Sequence, residues 1–209
     1  MKVILFNGSP KEKGCTYTAL CEVEKALNVA GVETEIFYIG KQPVKGCIGC
    51  GSCAKPGENK CAFDNDAVYR AIELAKEADG FVFGSPVHYA GMSAVMKSFM
   101  DHFFYVGSGI LANKPAAALV SCRRGGATAA LEQMTQYFQN NNMPIVTAQY
   151  WNMIHGNTPE EVVQDAEGML TMRTIGNNMA WLVKCIAAGR DAGILVPERE
   201  PRQRTNFIR

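Results

Sequence analysis

The 209-residue chain carries almost no net charge: 21 Lys and Arg stand against 20 Asp and Glu, a formal balance of +1. With 47% apolar and 20% charged residues, this composition excludes an intrinsically disordered chain and a charge-driven nucleic-acid binder. Long apolar runs are missing too. The longest, such as residues 3–6 and 116–120, fall far below the ~20 residues that span a bilayer, so no membrane partner is expected. The N-terminal MKVILFNGSP reaches a Gly-Ser-Pro turn before a secretory apolar region is complete, which makes the expected location cytoplasmic. The chain has no internal repeat and no low-complexity linker. Its length suits one domain over 1–196, able to bury ~70% of its unfolded surface, followed by a tail over 197–209. That tail holds Arg199, Arg202, Arg204 and Arg209 with Phe207 and Ile208; it reads either as a disordered end or as an arm docking on a neighbouring subunit.

What is present alternates between two periods. Residues 3–6 form an apolar run stopped by Asn7-Gly8-Ser9-Pro10, the pattern of a parallel strand buried on both faces. Helical spacing over 16–30 ends at Gly31, and a strand follows at 33–39. A helix is expected at 66–78, strands at 81–84 and 116–120 with a helix over 93–105 between them, a helix at 127–140 and a fifth strand at 144–150. The last helix begins at Thr158, where Thr-Pro-Glu-Glu supplies a cap, a first-turn proline and a capping-box glutamate. It is expected to run to about 188, with Gly168 and Gly176 as places for an interruption. The sum is an α/β doubly wound, five-stranded parallel sheet.

Such sheets bind ligands beyond the carboxyl ends of their strands, and three loops fall there. In the first, Ser9, Lys11, Gly14, Cys15 and Thr16 lead into a helix N-terminus; hydroxyls, a cation and free amides suit a single phosphate. No Lys-Ser/Thr follows Gly14 and no G-x-G-x-x-G occurs, so the loop is neither a nucleoside-triphosphate cradle nor a dinucleotide fingerprint. An ordinary strand-to-helix turn is the structural alternative. The second loop, 85–92, holds Pro86, Val87, His88, Tyr89 and Gly91, a stiff bend and an accessible backbone against which a flat ring fits. The third, 121–126, brings Ser121, Arg123, Gly125 and Gly126 to the same edge, where the guanidinium suits phosphate.

Taken in order, GSPKEKGCT, SPVHYAGMSAVMKSFMD and SCRRGGA resemble the NAD(P)H-dependent FMN reductase branch of the flavodoxin-like superfamily over nearly the whole chain. The resemblance implies a flavodoxin-like fold and bound FMN, with its phosphate in the first loop and its ring on the other two. It also implies NAD(P)H or a reduced carrier as donor, a small-molecule or electron-carrier acceptor, and a homodimer or homotetramer. His88 stands where a tyrosine is usual, and His102 follows Asp101 where arginine is common. A flavodoxin-type electron carrier and a flavin-binding module without turnover are the other classes; carriers are typically strongly acidic, which this chain is not.

Cysteine is plentiful, eight in all, and four of them fall together as Cys47-x2-Cys50-x2-Cys53-x7-Cys61 within a loop over 46–62. A close C-x2-C-x2-C tripod is the ferredoxin manner of holding a [4Fe-4S] cube, and Gly46, Gly49, Gly51 and Gly57 ease the wrapping of backbone. In this position the pattern resembles the iron-sulfur flavoproteins. A zinc site, a redox-active thiol pair and a vestigial loop remain open beside it. Of the others, Cys15 lies at a helix N-terminus, a setting that lowers a thiol pKa. Cys21 and Cys185 are expected in the core, and Cys122 is ambiguous.

Overall fold

The computed structural model describes residues 1–55, 60–63, 66–198, 200, 201, 203 and 205, without the side chain of Asp66. Gly57 and the tail residues Arg199, Arg202, Arg204, Phe207, Ile208 and Arg209 lie outside the described residues. Its strands are β1 (Lys2–Asn7), β2 (Glu33–Tyr38), β3 (Gly80–His88), β4 (Gly91–Met92), β5 (Ala116–Cys122) and β6 (Met153–His155). Its helices are α1 (Cys15–Val29), α2 (Asp66–Glu77), α3 (Ala94–Leu111), α4 (Ala127–Asn140), α5 (Pro159–Val162) and α6 (Ala166–Asp191). The parallel strands run in the order β2-β1-β3-β5-β6, with β4 paired antiparallel to β3. This is the flavodoxin-like order, and its winding reverses between β1 and β3.

Period-2 alternation builds two cores. Ile4, Phe6, Phe81, Phe83, Ala118 and Val120 face α2, α3 and α4 in an aromatic core that includes Phe99, Phe103 and Phe138. Val3, Leu5, Val82, Ala117 and Leu119 face α1 and α6. Both faces of each central strand are thereby filled, which is why these segments read as unbroken apolar runs.

Three expectations are corrected. The segment at 144–150 is not the fifth strand: Ile145 makes an isolated bridge to Ala116, and the strand proper comes later at Met153–His155. Between them residues 147–152 form neither helix nor strand. Asn152, buried, closes the gap by donating from Nδ2 to the carbonyls of Ala118 and Val146 while accepting from the Ala148 amide, so a side chain replaces the missing ladder bonds. The loop expected at 85–92 is half strand. β3 continues to His88 and folds back through Tyr89 and Ala90, both at positive φ (48° and 58°), into β4; two consecutive left-handed residues make the tight hairpin turn.

The final helix is broken, though not at its glycines. Thr158 caps α5 by accepting from the Glu161 amide, and α6 starts afresh where Asp165 accepts from the amides of Gly168 (2.9 Å) and His155 (2.7 Å). Gly168 and Gly176 are packing positions instead. A Cβ on Gly176 would stand 2.6 Å from the Ala26 Cβ and 2.7 Å from the Val23 carbonyl oxygen, and one on Gly168 would stand 2.5 Å from Ile154. No helix among the described residues is long and apolar enough to cross a membrane.

Candidate functional site

The reversal point opens into a cleft of about 240 Å³ lined by the ends of β1, β3, β5 and β6. Its geometry begins at Asn7, buried at the tip of β1. Asn7 Oδ1 accepts from the Ser9 amide (3.1 Å) and its Nδ2 donates to the Glu12 carbonyl (2.8 Å). Ser9 Oγ in turn accepts from the Lys11 amide at 3.1 Å. The loop is thus curled on itself in front of α1, whose N-cap, Gly14, makes no side-chain capping bond. The first-turn amides of α1 therefore face the cleft with the positive end of the helix dipole, beside the Lys11 ammonium. Thr16 Oγ1 and Ser121 Oγ hydrogen-bond at 2.8 Å, pinning this loop to the end of β5.

Ser93, which the sequence reading passed over, joins two of the loops. Its Oγ donates to the Gly8 carbonyl (2.7 Å) and accepts from the Met96 amide (3.1 Å), and its own amide donates to Ser85 Oγ (2.9 Å). One 1%-exposed hydroxyl therefore caps α3 and sets the spacing between β1 and β3 ends.

Of the predicted ligand-binding residues, Ser9, Lys11, Cys15, Thr16, Pro86, Val87, His88, Ser121 and Arg123 line the cleft together. Gly14 stands at the helix start just described. Tyr89, Gly91, Gly125 and Gly126 do not line it. Tyr89 projects fully into solvent from the hairpin turn, and Gly91 pairs with His88. Gly125 is exposed, and Gly126, at φ +90°, lets the third loop pack against Ala90. Pro10, Cys122, Gly156 and Asn157 join the lining. The last two follow β6, whose true position the mistaken fifth strand had hidden.

The cysteines outside the cluster take settings of their own. Burial pushes the Cys15 thiol pKa up, and Lys11 offsets this only in part, so desolvation outweighs the helix terminus there. Cys122 is buried, its pKa likewise raised by burial, with Sγ 3.4 Å from His155 Nδ1. Cys185 is exposed, not in the core, on the solvent side of α6; Cys21 is half-buried.

Cys47, Cys50, Cys53 and Cys61 line one small cavity of about 20 Å³, whose far wall is α3. Gly49 and Gly51 take positive φ (67° and 72°), so the loop curls and turns its amides inward. The Gly49 amide donates to Cys47 Sγ (3.5 Å) and the Phe63 amide to Cys61 Sγ (3.4 Å). The Ser52 side chain and amide hold the Cys50 thiol below its ordinary pKa. Cys53 is raised by burial first and then by the charges the other three thiols would carry, which places all four within electrostatic reach. Tyr69 of α2 anchors the last cysteine, its Oη accepting from the Cys61 amide at 2.9 Å. Among the described residues, no three His, Cys, Asp or Glu side chains close around a single metal ion. Four sulfurs sharing a cavity, with amides aimed at them, are the donor set and hydrogen-bonding shell that a polynuclear iron-sulfur group uses.

The family model described as NADPH-dependent FMN reductase matches residues 1–158. An iron-sulfur flavoprotein of Methanocaldococcus jannaschii is 34% identical over 194 residues, covering 89% of this chain and 99% of that protein. Among solved structures, the flavoenzyme NAD(P)H:(acceptor) oxidoreductase FerB from Paracoccus denitrificans aligns with a TM-score of 0.65 at 14% identity, covering 88% of this chain and 97% of that one. A flavodoxin from the domain Archaea aligns at 0.59 and 16% identity, covering 88% and 99%. These two structures share the fold.

Proposed function

Because the chain belongs to the NADPH-dependent FMN reductase family, we propose that it is an oxidoreductase of the iron-sulfur flavoprotein type. It takes electrons from NAD(P)H or a reduced carrier and passes them to a small-molecule or protein acceptor. The observation that carries this reading is the uncapped start of α1 facing the cleft, flanked by Ser9, Lys11 and Thr16, a site for one phosphate. The FMN phosphate would lie there. Its ring would lie against Pro86, Val87 and His88 on one side and Ser121 and Arg123 on the other, with Tyr89, Gly91, Gly125 and Gly126 at its outer margin. The Thr16–Ser121 bond keeps the phosphate end and the ring end at a set distance. Cys47, Cys50, Cys53 and Cys61 would hold a [4Fe-4S] cluster.

When bound, the flavin supplies hydride acceptance and the cluster single-electron transfer. The chain's own residues bind, orient and exclude water, and no protein acid or base is assigned. A homo-oligomer would cover a flavin held at the sheet edge, and the neighbouring rings of Tyr150 and Trp151, both exposed, offer it an aromatic surface. A monomeric sedimentation coefficient at micromolar protein would refute that part.

The test is anaerobic purification, extraction of the flavin, iron and labile-sulfide analysis, and steady-state NAD(P)H oxidation with a quinone or ferricyanide. FMN, roughly four irons and turnover are expected. FAD or no flavin would sink the site, and FMN without turnover from any donor would leave a carrier. FMN with four free thiols would leave a plain FMN reductase, and stoichiometric zinc a structural clamp. Single Cys→Ser variants at the four positions should lose the iron chromophore while FMN binding survives, because the flavin loops come from other strand ends.

A further inference from the structure

The cysteine cavity has a wall that no thiol supplies. The face of α3 turned to it carries His102, Tyr105 and Val106, at the i, i+3, i+4 spacing that puts three side chains on one side of a helix. Val106 is apolar, and Tyr105 forms the outer wall at 63% exposure. His102 is the inward polar group and only 2% exposed. Its ring lies 6.3 Å from that of Phe63, two residues beyond Cys61. The imidazole is therefore wedged between α3 and the segment that brings the last cysteine back. An imidazole has an N–H to donate in either charge state.

We propose that His102 donates a hydrogen bond to the sulfur shell of the cluster held by Cys47, Cys50, Cys53 and Cys61. This rests on the cluster reading above and adds one side chain to it. Reduction adds negative charge to the sulfurs, so an N–H aimed at them stabilises the reduced form more than the oxidised one. His102 then raises the reduction potential and makes the cluster a readier acceptor of an electron. The amides of Gly49 and Phe63 act in the same sense from the loop, whereas His102 acts from the body of the fold. Hydrogen-bond partners beyond the ligands themselves commonly tune such sites.

The experiment compares the anaerobically purified full chain with His102→Phe, which keeps a ring against Phe63 without a donor, and His102→Gln, which keeps a donor. Iron, sulfide and FMN contents are measured, with a redox titration of the cluster followed by electron paramagnetic resonance. Expected are equal iron and FMN in all three, a lower midpoint potential in His102→Phe, and a potential near the parent in His102→Gln. Full iron with an unchanged potential and spectrum in His102→Phe overturns the inference and leaves the cluster reading intact. If His102→Phe sheds its iron, retention by His102→Gln at the parent potential supports a donor. Loss of iron from both variants overturns the inference. A parent protein free of iron and sulfide overturns the cluster reading and this inference with it.

Discussion

Replacing Ser93 with alanine removes one oxygen and two bonds at the joint between the first two loops. Loss of the bond from the Met96 amide to Ser93 Oγ uncaps α3, at a typical cost of about 1 kcal/mol. Loss of the Ser93 Oγ donor strands the buried Gly8 carbonyl, which costs roughly 1–3 kcal/mol because water has little access to replace it. The Ser93 amide still reaches Ser85 Oγ, so the backbone path is retained. The sum is about 2–4 kcal/mol, or roughly 4–16 °C in melting temperature for a chain of this size. Urea unfolding followed by far-ultraviolet circular dichroism reads this directly, with an unchanged slope if the unfolded state is unaffected. The exposed Ser108, changed to alanine on the same helix, serves as the control and should stay within about 0.5 kcal/mol. A Ser93→Ala variant as stable as that control would refute the view that this hydroxyl joins the loops.

Replacing Ser9 and Thr16 together with alanine should weaken FMN binding by ~1–3 kcal/mol, about 5- to 150-fold in Kd; unchanged quenching of FMN fluorescence on titration with apoprotein would contradict the phosphate assignment. Gly176→Ala should destabilise by about 1–3 kcal/mol, because its Cβ would press on Ala26 and the Val23 carbonyl; an unchanged urea midpoint would mean that α1 and α6 separate freely. Burial and the bond to Asp101 push the Tyr137 pKa up to about 12. The folded state thus holds its proton where the unfolded chain has lost it, and the stability from this group is present below pH ~10 and fades as pH rises toward 12. In an absorbance titration of the seven tyrosines, Tyr137 should ionise last, after Tyr17, pushed up by its bond to Cys21, and Tyr38, pushed up by burial, and Tyr137→Phe should delete that final step; a final step that survives Tyr137→Phe would refute it.

Patterns carried by period and by local chemistry were legible in the residues alone. Unbroken apolar runs at 3–6, 81–84 and 116–120 require cover on both faces, which only a sheet between two helical layers provides. Thr158 and Gly31 mark helix ends through bonds and angles settled within a few residues, and the cysteine spacing is legible for the same reason. What the tertiary structure decided depends on partners far away in the chain. Residues 144–150 have strand composition, yet their neighbour β5 receives only Ile145 from them, because buried Asn152 bonds across the gap. Gly168 and Gly176 suggest weakness in a helix read by itself, but Ile154 and Ala26 need the space where their side chains would be. Cys15 sits at a helix terminus that favours a thiolate, yet the surrounding loop buries it and desolvation prevails. His102 reaches the cysteine cavity only because the loop after β2 packs across α3, a contact between segments some forty residues apart for which no local periodicity leaves a trace.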